Sequence, residues 1–238
     1  IVESDCVIVN TCGFLDEARQ EGVDTLLELE EMKKNGKIAS IVVMGCMSER
    51  FGTELKKEFF HIDRFFGSND IEQIIKYLCS KDYQKYDPDY DRISLTPPHY
   101  GYLKISEGCD NACSFCSIPL MRGLQKSQPI EWNIAEAKRM AQNGVREILV
   151  IAQDSTSYGW DLTPRRSLAE LLTELNKIEE LDWIRLHYAH PTHLHNDVIK
   201  CFNRLEKLIP YIDMPIQHAS TSVLRDMRRG LKIDRIKE

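Results

Sequence analysis

A chain of 238 residues, 42% hydrophobic and 29% charged, can bury a sizeable core and has room for two domains. Its formal net charge of -6 argues against a bare nucleic-acid binder. No apolar run reaches membrane-spanning length and no secretory signal is visible, so neither a membrane partner nor secretion is expected. The 8 cysteines are spread along a strand–helix pattern, unlike a small secreted disulfide scaffold. A reducing, cytoplasmic setting is expected, and clustered thiols there point to metal or redox chemistry.

Residues 5–10 (DCVIVN) are a β-branched run that predicts a first strand, closed by TCGF. Leu26, Leu27, Leu29 and Met32 then sit among charges in a helical stretch that Gly36 stops. Residues 38–46 (IASIVVMGC) predict a second, buried strand. Ser48 suits the N-cap of the helix over SERFGTELKKEF. Residues 62–68 predict a short third strand, and Ile71, Ile74, Ile75 and Leu78 repeat at helical spacing. This alternation predicts a domain over residues 1–80 with a parallel sheet covered on both faces. Residues 81–99 are polar and tyrosine-rich, contain Pro88, Pro97 and Pro98, and read as a linker.

A second domain is expected over residues 100–238. Strands are predicted at 100–106, 147–152, 183–187 and 211–214. Helices are predicted at 130–142, 168–178, 197–208 and 220–228. Four βα units in a row fit a barrel or part of one, giving an α/β fold throughout.

Residues 107–116 read EGCDNACSFC, placing Cys109, Cys113 and Cys116 in a C-x3-C-x2-C loop just after the first strand of the second domain. Parallel βα architectures build their sites at that end of the strands. Three thiolates without a local fourth leave one corner of a metal centre open to a ligand that is not protein. A zinc site completed by His99 or His218 is the alternative, and inert buried thiols are disfavoured in a polar loop. Cys12 follows the first strand and Cys46 ends the second. Adjacent parallel strands end side by side, so these two thiols are candidate ligands of one site, with ordinary burial as the alternative. Cys6 lies roughly 20 Å from Cys12 along an extended strand at about 3.3 Å per residue, so it is assigned to the core. Cys79 and Cys201 continue apolar helix faces and are assigned likewise. Gln153, His187 and the pair Gln217 and His218 fall at the ends of consecutive barrel strands, where polar groups face a barrel's mouth. Arg122 is a candidate partner for a ligand carboxylate.

The cysteine spacing, with Phe115 directly before the last thiol, resembles the signature of radical S-adenosylmethionine (SAM) enzymes. That resemblance implies a partial (β/α) barrel and a [4Fe–4S] cluster held by Cys109, Cys113 and Cys116. It also implies that SAM chelates the fourth iron and is cleaved reductively to a 5′-deoxyadenosyl radical. GYLKISEGCDNACSFCSIPLMRG, AQDSTSYGWDL, VIVNTCGF and VMGCMSER resemble the methylthiotransferases of that superfamily. KISEGCD, AQDSTSYG, IRLHYAHP and MPIQHAS resemble the branch that acts on a ribosomal protein. The tRNA branch usually carries Gln-Asn where this chain has Gln153 and Asp154. Where the family has Ser-Arg-Pro this chain has Ser127, Gln128 and Pro129, departing at Gln128.

The resemblance implies methylthiolation of an aspartate β-carbon in a small-subunit ribosomal protein. It further implies an auxiliary [4Fe–4S] cluster with Cys12 and Cys46 as two of three ligands, a second SAM as methyl source, and a low-potential electron donor such as a flavodoxin. On it, Gln153, His187, Gln217, His218 and Arg122 become SAM- or substrate-binding candidates, supported by Tyr102, Ser106, Glu107 and Gly108. The sequence opens at Ile1 without Met and stops without a cap, so a fragment is expected, lacking the family's N-terminal start and its small C-terminal β-barrel (TRAM) domain. The alternatives are a tRNA adenosine methylthiotransferase and a non-enzymatic zinc or iron–sulfur module.

Overall fold

Two β-branched runs and a short third strand build the first sheet: β1 (Ser4–Thr11), β2 (Ile38–Gly45) and β3 (Arg64–Phe65), all parallel and in that order. These coordinates are a computed structural model that describes residues 4–79, 95–230 and 233–237. Of the linker expected over 81–99, residues 81–94 lie outside the described residues. By packing, the chain divides into two units, Ile1–Tyr86 with Leu120–Arg122, and Asp87–Pro119 with Gly123–Glu238.

In the first unit α1 (Asp16–Lys34) joins β1 to β2. Asp16 and Glu17 at its start and Lys33 and Lys34 at its end complement the helix dipole. α2 (Cys46–Glu58) and α3 (Ile71–Leu78) complete the unit. Leu26 and Leu29 of α1, Ile41 and Val43 of β2, and Met47 and Leu55 of α2 form its core. A fully buried aliphatic side chain contributes about 2 kcal/mol.

Three expectations are corrected here. α2 begins at Cys46, two residues before the expected cap; Gly45 (φ 101) makes the turn and Ser48 is buried inside the helix. The sheet is not covered on both faces along β1, an edge strand: Val7 and Val9 pack on the core, but Ile8 is 46% exposed. Cys79 is exposed at the end of α3, where only Ile74 is buried, so it is not a core residue.

The second unit starts with β4 (Tyr100–Lys104), β5 (Ser106–Glu107) and β6 (Lys126–Ser127), and α4 (Ile118–Arg122), whose residues 120–122 group with the first unit, lies between β5 and β6 in the chain. α5 (Ile130–Gln142), β7 (Glu147–Ile151) and α6 (Leu168–Leu175) follow. Then come β8 (Trp183–Leu186), α7 (Asn196–Arg204), β9 (Leu208–Ile212), α8 (Thr221–Asp226) and α9 (Ile233–Lys237). The parallel order β4-β7-β8-β9 is that of consecutive βα units laid side by side. β5 and β6 form a separate antiparallel pair that the sequence does not announce. Leu103, Ile148, Val150, Ile184 and Leu186 are fully buried, as are Leu171, Leu172 and Leu175 of α6 and Cys201 of α7.

The helix expected over 197–208 stops at Arg204, and the strand expected at 211–214 begins earlier, at Leu208. Leu205 and Leu208 keep a helical spacing. Sheet pairing overrides it: Ile184 N donates to Lys207 O at 2.7 Å, and Ile184 lies opposite Leu208.

Candidate metal centre

The cysteine loop leaves β5 through a turn that only glycine allows. Gly108 has φ +83, and a Cβ there would lie 2.2 Å from Leu124 O and 2.7 Å from Gly123 O. Cys109 N donates to Gly123 O at 3.1 Å, and Gln125 N to Asp110 Oδ1 at 2.9 Å, so the loop is pinned to the strand that returns from it. Ser114 fastens the far side, with N on Met227 O at 3.1 Å and Oγ on Asp226 O at 3.2 Å.

Cys109 and Cys113 are buried and Cys116 is half-buried, all as free thiols. Each sulfur receives at least one N–H: Asn111 Nδ2 lies 3.4 Å from Cys109 Sγ, Arg229 Nη1 3.5 Å from Cys113 Sγ, and Ile118 N 3.5 Å from Cys116 Sγ. A neutral thiol accepts hydrogen bonds weakly, whereas metal-bound thiolates recruit such donors. Burial pushes the Cys109 thiol up, against two hydrogen bonds from Asn111 that favour the thiolate. Coordination to a metal offsets that desolvation. The donor set therefore fits a [4Fe–4S] cluster bound through three cysteines. His99, offered above as a fourth zinc ligand, stands exposed just before β4, at the opposite end of that strand from the loop.

A buried polar network lies beneath Cys109. Asn111 Nδ2 also donates to Asp154 Oδ2 at 2.8 Å. That carboxylate accepts from Thr156 N and Oγ1, at 3.1 and 2.6 Å, and meets His193 Nδ1 at 2.6 Å. Burial alone would raise the Asp154 carboxyl, but the hydrogen bonds from His193, Thr156 and Asn111 bring it down to about 2. His190 goes the other way. Burial first, then the positive charge of Arg229, push its imidazole down to about 4, and its Nε2 is buried without a partner. Asp154, His190 and His193 bring ligand atoms within 4.8 Å of one another. Both Asp154 oxygens are already taken and a guanidinium stands beside His190, so this trio supports the loop as a hydrogen-bonded unit.

The other expected residues are placed as follows. Gln153, just past β7, donates from Nε2 to Glu107 Oε1 at 2.7 Å and leaves a buried Oε1 without a partner. Glu107 also pairs with Lys104 at 2.8 Å, so Gln153 is tied to the lead-in of the cysteine loop. His187, past β8, has Nδ1 3.8 Å from Asp213 Oδ2 and a buried, unpartnered Nε2. Gln217 (φ 71) and His218 are exposed past β9, where His218 Nδ1 accepts from Ser220 N at 2.9 Å. Arg122 ends α4 and groups with the first unit.

In the first unit Thr11 lies opposite Gly45, so Cys12 and Cys46 stand at the same end of neighbouring strands. A Cβ on Gly13 would lie 2.7 Å from the Cys46 carbonyl carbon and oxygen, so the two turns meet backbone to backbone. Cys12 is exposed and Cys46 half-buried, while Cys6 pairs with Ser40 farther down the strand.

Asn111, His193 and Arg229 were not singled out from the sequence, and Asp154 only as a mark of the family branch. Only Asp154 carried a signal, as the polar neighbour of Gln153 in AQDSTSYG.

Residues 103–238 match the radical SAM superfamily, and residues 1–67 match the uncharacterized protein family UPF0004. The chain is 48% identical over 228 residues to the ribosomal protein uS12 methylthiotransferase RimO of Flavobacterium johnsoniae, covering 96% of this chain and 52% of that protein. It is 46% identical over 228 residues to RimO of Aquifex aeolicus, covering 96% and 51%. The chain thus spans about half the length of the curated relatives it matches. Among solved structures, the cobalamin-dependent SAM radical enzyme OxsB, with aqua-cobalamin and SAM bound, superposes with TM-score 0.66 at 13% identity over 97% of this chain and 38% of that one. TsrM from Kitasatospora setae, with cobalamin and a [4Fe–4S] cluster bound, gives 0.62 at 12% identity over 93% and 51%. At such identities these two structures speak for the fold alone.

Proposed function

The chain belongs to the radical SAM superfamily, and from that premise we propose that the protein is a methylthiotransferase acting on an aspartate β-carbon of ribosomal protein uS12. One observation carries the cofactor half of this reading: three free thiols on one strand-end loop, each with its own N–H donor. Similarity along both units to uS12 methylthiotransferases supports the substrate half.

Cys109, Cys113 and Cys116 would hold a [4Fe–4S] cluster, and Cys12 and Cys46 two corners of an auxiliary one. Bound in the loop, the first supplies the electron that cleaves SAM, the radical chemistry an unactivated C–H bond demands and side chains cannot provide. The protein's own groups orient and desolvate. Gln153 Oε1 and His187 Nε2, both buried without partners, are offered to polar groups of SAM at the strand ends. Glu107 holds the Gln153 amide in place. Exposed Gln217 and His218 face incoming substrate. The electron donor is a low-potential protein such as a flavodoxin, in the cytoplasm where ribosomes are made. Among the described residues no helix is long and apolar enough to cross a membrane.

The test uses the whole protein, reconstituted without oxygen. Cys109→Ala removes a ligand outright, so about four irons and all SAM cleavage should be lost. Wild-type protein should methylthiolate uS12 and leave tRNA untouched; modified tRNA with unmodified uS12 refutes the substrate assignment.

A further inference from the structure

Arg229 is 7% exposed, yet among the described residues no carboxylate forms an ion pair with it. Its Nη1 points at Cys113 Sγ (3.5 Å) and its Nη2 donates to Pro215 O (2.7 Å), while its Nε is buried without a partner. The backbone holds it there: its N donates to Leu224 O at 2.9 Å, and its O accepts from Thr192 Oγ1 at 2.9 Å. A buried cation without an anion is costly and persists where a ligand brings the missing charge. The nearest acceptor of the right sign is a thiolate, and an iron–sulfur cluster held by three thiolates is anionic as a whole.

We propose that Arg229, seconded by Asn111, is a positioning residue that raises the reduction potential of the cluster held by Cys109, Cys113 and Cys116. The proposal rests on the cluster assignment above. Reduction adds one electron, from the low-potential donor, and so one negative charge next to the guanidinium. A fixed positive charge at a ligand sulfur therefore stabilises the reduced form more than the oxidised one, and hydrogen bonds to the sulfurs act in the same direction. Arg229 combines full charge with burial, where screening is weakest. Asn111 contributes a dipole only, and it shares its amide with the Asp154 carboxylate, which repels the added electron. Its effect has the same sign and is smaller. The Cys116 donor is a backbone N–H that substitution does not remove.

The experiment is an EPR-monitored redox titration of the reconstituted whole protein, in a background with Cys12→Ala and Cys46→Ala so that one cluster gives the signal. Arg229→Met is expected to lower the reduced-to-oxidised ratio at fixed potential at least tenfold, about 59 mV for one electron. Arg229→Lys, which keeps the charge, falls between Met and wild type, and Asn111→Leu shifts the midpoint the same way by less. Arg229→Met with wild-type iron content and a midpoint unchanged within a factor of two overturns the proposal. Should Arg229→Met take up no iron, Asn111→Leu decides: a midpoint moved down supports it, an unmoved one overturns it. A background protein that binds zinc, or no metal, fails earlier and sinks the cluster assignment itself.

Discussion

His190 is a histidine that the fold keeps neutral. Burial and the neighbouring Arg229 charge hold its imidazole at about 4, against an ordinary 6.5. The unfolded chain takes up a proton near 6.5 and the folded chain only near 4. Stability is therefore full above 6.5 and falls as pH drops from there toward 4, by about 1.4 kcal/mol per pH unit and about 3 kcal/mol in all. Asp154, depressed to about 2, adds a second loss only below about 4, where the unfolded carboxyl begins to protonate. Urea unfolding at pH 7 and pH 5 should show a drop of about 2 kcal/mol in wild type that His190→Phe does not show. An equal drop in both would place the acid sensitivity elsewhere. The same residues mark where sequence reading stops. Cys109, Cys113 and Cys116 stand out together as candidates because their spacing is local in the sequence. Arg229 and Cys113 are 116 residues apart, and Asn111 and Asp154 are 43 apart, so tertiary folding alone makes them neighbours.

At the scale of elements, the pair β5–β6 is what aims the loop. Each strand is two residues long, too short to show the two-residue period that reveals a strand in sequence, whereas β4, β7 and β8 stood out as apolar runs. β9 and the end of α7 were misjudged because an apolar spacing fits a helix or a strand until a partner strand decides. Two glycines lie in the connection between these strands, and they separate conformation from space. Gly108 (φ +83) and Gly123 (φ +76) both hold a left-handed backbone. A Cβ at Gly123 meets nothing within 4 Å, whereas one at Gly108 runs into Leu124 O at 2.2 Å. Gly123→Ala should therefore cost only the strain of a backbone conformation that glycine favours (φ 76, ψ -168), about 1–3 kcal/mol, and keep its iron. Gly108→Ala adds a backbone collision that no rotamer relieves, so its urea midpoint should fall further and its iron content with it. Equal behaviour of the two variants would show that the loop yields there freely.

For the molecule as a whole, the two thiol groups lie in different units. Cys12 and Cys46 end the strands of one parallel sheet, and Cys109, Cys113 and Cys116 follow the first strand of another. Each unit has its own apolar core, so losing a ligand in one leaves the other's folding intact. If each group serves its own cluster, iron losses must add. In the whole protein Cys46→Ala should remove about four irons and leave reductive SAM cleavage in place, because the thiols that would hold the SAM-binding cluster are untouched. Cys113→Ala should remove about four others and abolish cleavage, and the double variant should lose about eight. Product analysis divides the roles further: if the auxiliary cluster carries the sulfur, Cys46→Ala should still form 5′-deoxyadenosine yet transfer no methylthio group. Iron that disappears from both sites on either single substitution would mean that the two groups load as one unit. Cys46→Ala with full iron would return Cys12 and Cys46 to the status of ordinary strand-end cysteines.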